Sequence, residues 1–175
     1  MQALEKQNII ALYYGDESGF CLTSALPYGW QFPGEQVAAP PRHGQRFNVL
    51  GFCNATTNDL HAAAREGSLD TAFVVDTPDA WAATRTCPTV PVPDNATIHH
   101  AAAFQARLAA WEDRDVYVFY LPAYSPHLNK IETLRRKVKY EWPRPEAYRD
   151  FKPLKTAVWH ILDRVGRQYT IQFST

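Results

Sequence analysis

The sequence contains no run of about 18 apolar residues, which is the length that a membrane-spanning helix requires. Its first residues, from Met1 to Lys6, also lack the apolar stretch of a signal peptide. We therefore expect a cytoplasmic protein with no membrane partner.

Cysteine is scarce as well. The three cysteines, Cys21, Cys53 and Cys87, form an odd, irregularly spaced set without a CxxC pair. Such a set is typical of reduced thiols, and it does not favour a disulfide framework or a structural zinc site. The 175 residues are 46% hydrophobic and 21% charged. This length suffices for one domain with its own core and is too short for two domains of ordinary size.

The chain has no net charge, but its charges are segregated. Residues 130–175 hold 11 Lys and Arg against 5 Asp and Glu, a balance of +6, so residues 1–129 carry −6. A basic C-terminal third favours a polyanionic partner such as a nucleic acid. The plainer interpretation is a pair of solvated, charged helices.

Hydrophobic periodicity and turn residues divide the chain into strands and helices. The predicted strands are residues 8–14, 19–23, 46–55, 88–92 and 115–121. The predicted helices are residues 70–85, 96–112, 151–165 and a segment from residue 129 onward. Residues 60–66 fit a strand or a short helix, and the Pro- and Gly-rich residues 26–44 are predicted to form a long loop held by Tyr28 and Trp30.

The first two strands are predicted to form a hairpin around the turn GDES, residues 15–18. After this antiparallel start, strands and helices alternate. That order predicts an α/β fold in which helices cover both faces of a mixed sheet.

Three acidic residues lie beside predicted strands. Asp16 follows the first strand after one glycine, Asp94 follows residues 88–92, and Glu132 lies in the first turn of the helix from residue 129. Side chains beyond the carboxyl ends of strands in an open α/β sheet can meet at one edge, and such carboxylates suit Mg²⁺. Pro93 predicts that the strand before Asp94 ends at Val92 or that the sheet is irregular there.

The predicted helix that carries Glu132 in its first turn is otherwise basic on the same side. Arg135, Arg136 and Lys139 follow Glu132 by three, four and seven residues, so they share its face. These side chains would hold a phosphate backbone that passes the metal ions. A Glu with an Arg four residues later is also a common solvated helix pair, and this alternative stays open.

Three motifs in order give this pattern a more specific meaning. They are YYGDESGF, PDNATIHH and YLPAYSPHLNKIETLRRKVK. Together they resemble the catalytic domain of DDE transposases, in the bacterial insertion-sequence branch of the mariner-like group. The family's third motif resembles LPPYSPDLNPIE, and this chain has LPAYSPHLNKIE in its place.

The resemblance implies a ribonuclease H-like α/β fold with a mixed five-stranded sheet and helices on both faces. It implies that Asp16, Asp94 and Glu132 are the catalytic residues and the ligands of Mg²⁺ or Mn²⁺, with two ions bound. The implied activity is DNA strand cleavage and strand transfer of an insertion sequence, with water and then a 3′-hydroxyl as the nucleophile.

The resemblance also implies partners. These are double-stranded DNA at the transposon ends and at the target, and a second copy of the chain in a homodimer on DNA. We expect residues 1–175 to be a single catalytic domain without the helix-turn-helix domains of complete transposases. A separately encoded helix-turn-helix subunit would then supply sequence recognition, in the nucleoid-associated cytoplasm of a bacterium.

Four further residues receive weaker predictions. Glu17 is either a base that supports the metal site or a turn residue, and Asn95 either orients its neighbouring acid, contacts DNA or caps the following helix. His99 would contact the scissile phosphate or a water, unless it is an ordinary core or surface histidine. Asn129 is predicted to cap its helix.

Two alternatives remain. The first is an inactive or truncated transposase remnant that acts at most as a non-specific DNA-binding module, which Arg135 favours because relatives usually carry an aromatic residue there. The second is a zinc hydrolase, although its candidate ligands lack HExxH-type spacing. Those candidates are His43, His61, His99 and His100.

Overall fold

The computed structural model describes residues 1–22 and 45–173. In these residues the centre is a four-stranded sheet in the order β3-β2-β1-β4. The strands are β1 (Ala11–Cys21), β2 (Arg46–Asn54), β3 (Leu60–Glu66) and β4 (Thr89–Val92). Because β1 pairs antiparallel with β2 and parallel with β4, the sheet is mixed, as predicted.

Short helices surround this sheet. They are α1 (Gln2–Lys6), α2 (Thr71–Ala82), α3 (Ala102–Gln105), α4 (Leu108–Glu112), α5 (Ile131–Arg136) and α6 (Phe151–Leu162). A π-helical turn, Lys137–Glu141, continues α5, and 3₁₀ turns cover Thr97–His100, Pro126–Leu128 and Pro145–Arg149. Among the described helices, none has the length and apolar character needed to cross a membrane.

The predicted hairpin in the first strand is wrong. Ala11–Cys21 form one continuous strand, and Asp16 pairs with Gly51 of β2 in its middle. Gly15 therefore does not make a turn; a Cβ at this position would lie 2.9 Å from the Phe52 ring, so glycine allows the strands and side chains to pack closely. Thr23 and the predicted loop of residues 26–44, with Tyr28 and Trp30, lie outside the described residues.

The predicted fifth strand is only partly formed. The backbone N–H groups of Tyr117, Phe119 and Leu121 donate hydrogen bonds of 2.9–3.2 Å to carbonyls of residues 89, 91 and 93. Pro91 and Pro93 have no N–H to return, so alternate bonds of the ladder are absent. The segment therefore runs beside β4 without becoming a regular strand. The end of β4 at Val92 confirms one of the two alternatives that Pro93 predicted.

The predicted helix over residues 96–112 is divided into a 3₁₀ turn, α3 and α4. Ala101 adopts an extended conformation that interrupts the helix. The side chains of Gln105 and Tyr120 donate hydrogen bonds to the His99 carbonyl, at 2.8 and 3.1 Å, where the helical bond is missing. The strand option for residues 60–66 is confirmed with the same bounds. The helices over residues 70–85 and 151–165 are confirmed in type and are shorter than predicted.

Apolar side chains pack against both faces of the sheet. On one face, Leu134 and Val138 join α6 over the sheet; on the other, Trp81 of α2 packs on Phe52 of β2. Side chains of a strand alternate between faces. In β1 this alternation turns Asp16 toward α5 and Glu17 toward the opposite face.

We expect the docking of α5 to depend on Leu134, which is 3% exposed. Replacing it by alanine should lower the free energy of unfolding by about 2–5 kcal/mol, because a cavity remains in the core. Chemical denaturation measures this change. Leu128→Ala is the matched control, since Leu128 is 45% exposed and should lose less than about 1 kcal/mol. Equal losses would contradict the packing of α5.

Candidate active site

Asp16 is a buried acid in the middle of the central strand. Its side chain is 10% exposed, and no hydrogen-bond donor in the described part of the chain reaches its Oδ2 atom. Burial raises the pKa of Asp16 to about 7 against the opposing charge of Arg135, and the carboxylates of Glu132, Glu17 and Asp94 add to the rise. An acid with these neighbours is suited to a bound cation.

Glu132 approaches Asp16 from α5 through a shared arginine. Arg135 Nη2 lies 2.7 Å from Glu132 Oε2, and Arg135 Nε lies 3.5 Å from Asp16 Oδ2. One guanidinium therefore contacts two of the three predicted acids. Arg135 contacts carboxylates in this structure, and its predicted contact with phosphate stays a prediction.

Asp94 comes two residues after the end of β4. Its Oδ1 accepts a hydrogen bond of 3.1 Å from the Ala96 N–H and lies 3.5 Å from His99 Nε2. The interaction with His99 holds the pKa of Asp94 below its usual range, although partial burial opposes this. Asp94 is thus ionised and is joined to the site through a histidine.

His99 is a buried residue between two acids. It is 2% exposed, its Nε2 lies 3.2 Å from Glu17 Oε1, and its ring packs edge-on against Phe104. Burial alone lowers the pKa of His99, but the carboxylates of Asp94 and Glu17 outweigh it and raise the pKa to about 9. Glu17 is therefore a strand residue that contacts His99, and its prediction as a turn residue is wrong.

Asn129 has a role that the sequence did not predict. Its side chain is buried and donates a hydrogen bond of 2.9 Å to the Gly15 carbonyl, and the residue before α5, Lys130, makes no side-chain cap. The predicted helix cap is therefore wrong. Because Gly15 precedes Asp16, this bond fixes the start of α5 beside the acid; no local sequence signal could have found a contact across 114 residues.

The remaining predicted residues lie around the site. The exposed Asn95 contacts His100 and caps no helix, so its predicted capping role is wrong, and no described contact joins it to Asp94. Arg136 pairs with Glu141, and Lys139 lies over the Tyr140 ring. These two basic residues, Arg135 and Glu132 line an open groove of about 510 Å³.

The acids thus form two linked groups. Asp16 and Glu132 share Arg135, and ligand atoms of Glu17, Asp94 and His99 lie within 4.8 Å of one another. Asp16 and Glu17 are neighbours on β1 whose side chains turn to opposite faces, so the backbone of β1 links the two groups. The buried Oδ2 of Asp16, which accepts no hydrogen bond from the described residues, and the accumulation of carboxylates fit a hard divalent cation, which prefers oxygen ligands.

A family model described as DDE superfamily endonuclease matches residues 11–155. The chain belongs to the DDE superfamily endonucleases. Asp16, Asp94 and Glu132 all lie inside the matched segment. A search of curated proteins found no significant match.

Solved structures of other proteins share the fold of this chain. The strand transfer complex of Mos1 matches with a TM-score of 0.62 and 16% identity over 93% of this chain and 50% of the Mos1 chain. The Mos1 mariner paired-end complex with Mn matches with a TM-score of 0.59 and 17% identity over 93% of this chain and 51% of the other. The catalytic core domain of BIV integrase matches with a TM-score of 0.52 and 10% identity over 94% and 90%.

These similarities establish a ribonuclease H-like α/β fold, as the sequence predicted. The chain spans about half the length of the Mos1 chains.

The raised pKa of Asp16 gives the metal-free protein a distinctive pH dependence. The folded state binds the Asp16 proton more tightly than the unfolded chain does. The resulting stability is fully present below the ordinary value of 3.8 and is lost as the pH rises through about 7. Between pH 5 and pH 8, the wild-type chain should lose about 2–3 kcal/mol more unfolding free energy than Asp16→Asn.

Urea denaturation with a metal chelator present measures this difference at both pH values. Asp113→Asn, at an exposed acid after α4, is the matched control and should behave like the wild type. The same pH dependence in Asp16→Asn as in the wild type would show that Asp16 is not held protonated.

Proposed function

We propose that this chain is the catalytic domain of a transposase, which cleaves DNA strands and transfers them with Asp16, Asp94 and Glu132. The observation that carries the proposal is the proximity of these acids: Arg135 pairs with both Asp16 of β1 and Glu132 of α5, and the charge of Asp94, after β4, acts on Asp16. The likeness to Mos1 complexes supports the same function. In this proposal residues 1–175 act as a single domain on double-stranded DNA.

Divalent metal ions are part of the proposal. Asp16, Asp94 and Glu132 would hold two Mg²⁺ or Mn²⁺ ions, and the Mos1 paired-end complexes with Mn and with Mg support this choice. When bound, such ions lower the pKa of a nucleophilic water and neutralise charge that develops on the scissile phosphate. No nucleophilic side chain of the protein is needed.

The residues of this chain would prepare that site in distinct ways. Asn129 holds the start of α5 against β1, which keeps Glu132 near Asp16. His99 supplies a positive charge between Asp94 and Glu17, which fixes the orientation of the Asp94 carboxylate. The groove beside Glu132, lined by Arg136 and Lys139, would hold the DNA backbone.

The partners of the reaction are proposed on the same ground. Transposon ends and target DNA would occupy the groove, and two copies of the chain would act together on DNA. A helix-turn-helix subunit would contribute recognition of the transposon ends. The Mos1 transposase paired-end complex with left transposon end supports the binding of transposon ends.

The first experiment tests the catalytic role of Asp94. Asp94→Asn should reduce Mn²⁺-dependent nicking of supercoiled plasmid to background, because an amide is a poorer ligand for a hard cation than a carboxylate. Its melting temperature should change by no more than about 3 °C, because the Asp94 side chain is 43% exposed. Asp113→Asn serves as the control and should nick normally. Full nicking by Asp94→Asn would refute its role.

The second experiment tests the basic groove. Replacing Arg136 and Lys139 together by glutamine should reduce the slope of log affinity against log salt by about 2, because each residue neutralises about one phosphate. The measurement is a fluorescence titration of duplex DNA between about 50 and 200 mM salt. Arg114→Gln, at an exposed position after α4, is the control. An unchanged slope in the double variant would show that DNA does not bind in this groove.

The two experiments also separate the proposal from its alternative. A chain that binds DNA with a steep salt dependence but never nicks it, with Mg²⁺ or with Mn²⁺, would be a non-specific DNA-binding module rather than an enzyme.

A further inference from the structure

We propose that Arg135 is a resident cation that occupies the space between Asp16 and Glu132 and must leave it when a divalent ion binds there. The inference rests on the proposed function, because it concerns the same metal site. It adds a competitor, built into the chain, that sets how tightly the ion is held.

The contacts of Arg135 support this role. Two different nitrogens of one guanidinium contact two carboxylates, Nε with Asp16 at 3.5 Å and Nη2 with Glu132 at 2.7 Å. These acids come from β1 and α5, so the guanidinium joins two elements through charge. The next residue on the helix, Arg136, pairs with Glu141 instead and has no described ion pair with either acid.

Arg135 lies between a small cavity and an open groove. It lines a small cavity of about 30 Å³ together with Asp16, and it also lines the groove of about 510 Å³ together with Glu132. The Asp16 side chain is 10% exposed, whereas that of Arg135 is 39% exposed. Arg135 is therefore shared by the small cavity beside Asp16, whose buried Oδ2 accepts no hydrogen bond from the described residues, and the groove beside Glu132.

Arg135 and a divalent ion compete for Asp16 and Glu132 because both are cations. A guanidinium remains protonated at every pH that a folded protein tolerates, so Arg135 cannot vacate the site by losing a proton. A divalent ion drawn to the same two carboxylates must therefore displace the side chain. Once displaced, Arg135 remains beside the groove that Arg136 and Lys139 line, where a DNA phosphate would offer it a replacement anion.

The test measures Mn²⁺ binding without DNA, by the electron paramagnetic resonance signal of free Mn²⁺. Arg135→Met keeps the length of the side chain and removes its charge, so its Kd for Mn²⁺ should be roughly tenfold smaller than that of the wild type. Arg136→Met removes one charge from the same helix without touching the acids, and its Kd should stay within about twofold of the wild type. Asp16→Asn should lose the site.

A second variant guards against a folding failure. Arg135→Lys keeps the positive charge but loses the planar fork that spans two carboxylates, so its Kd should lie between those of the wild type and Arg135→Met. Far-UV circular dichroism of the metal-free variants verifies their folding. If Arg135→Met does not fold, a Kd of Arg135→Lys below that of the wild type supports the inference, and an equal Kd overturns it.

The outcomes separate the inference from the proposed function. If the wild type binds Mn²⁺, Asp16→Asn does not, and Arg135→Met binds no more tightly than the wild type, Arg135 is not a competitor although the metal site stands. An equal gain in Arg135→Met and Arg136→Met would overturn the inference in favour of a general charge effect. If no variant binds Mn²⁺, the metal site and the inference both fall.

Discussion

The burial of a carboxylate among other carboxylates is the constraint on which this site depends. Asp16 lies in the middle of the central strand, where solvent does not screen its charge, and Glu132, Glu17 and Asp94 all act on it. Such an arrangement is unfavourable unless protons or cations compensate for the charge. In the metal-free protein the compensation comes from the raised pKa of Asp16, from Arg135 and from protonated His99. In the proposed enzyme, divalent ions would supply it.

The fold holds these acids together through features that are not themselves acidic. Gly15 allows Phe52 of β2 to pack against the strand immediately before Asp16, and the Asn129 side chain ties the start of α5 to the same glycine. Pro91 and Pro93 loosen the pairing beyond β4, so Asp94 follows a strand that stops early. The glycine and asparagine contacts limit how far Asp16 and Glu132 can move, whereas the prolines set where Asp94 leaves the sheet.

Much of the fold followed from sequence patterns, and the errors have identifiable causes. Alternating and helical apolar periodicities predicted the type of most elements, including α2 and α6. The hairpin prediction failed because Gly15 and the polar residues after it imitate a turn, whereas the glycine is required by a ring of the neighbouring strand. The prediction of one helix over residues 96–112 failed because the side chains of Gln105 and Tyr120 donate to the His99 carbonyl, which a continuous helix would have used.

By itself, the sequence determined the endonuclease family, because its long motif around Glu132 is specific, and it predicted three acidic residues as the site. Only the tertiary structure decided which side chains compensate for those acids. His99 and Arg135 were visible as residues, but their partners are Glu17, Asp94, Asp16 and Glu132 on several elements. A charged side chain pairs with the opposite charges that folding brings within a few ångströms of it. The spacing of residues along the chain does not determine those distances between side chains.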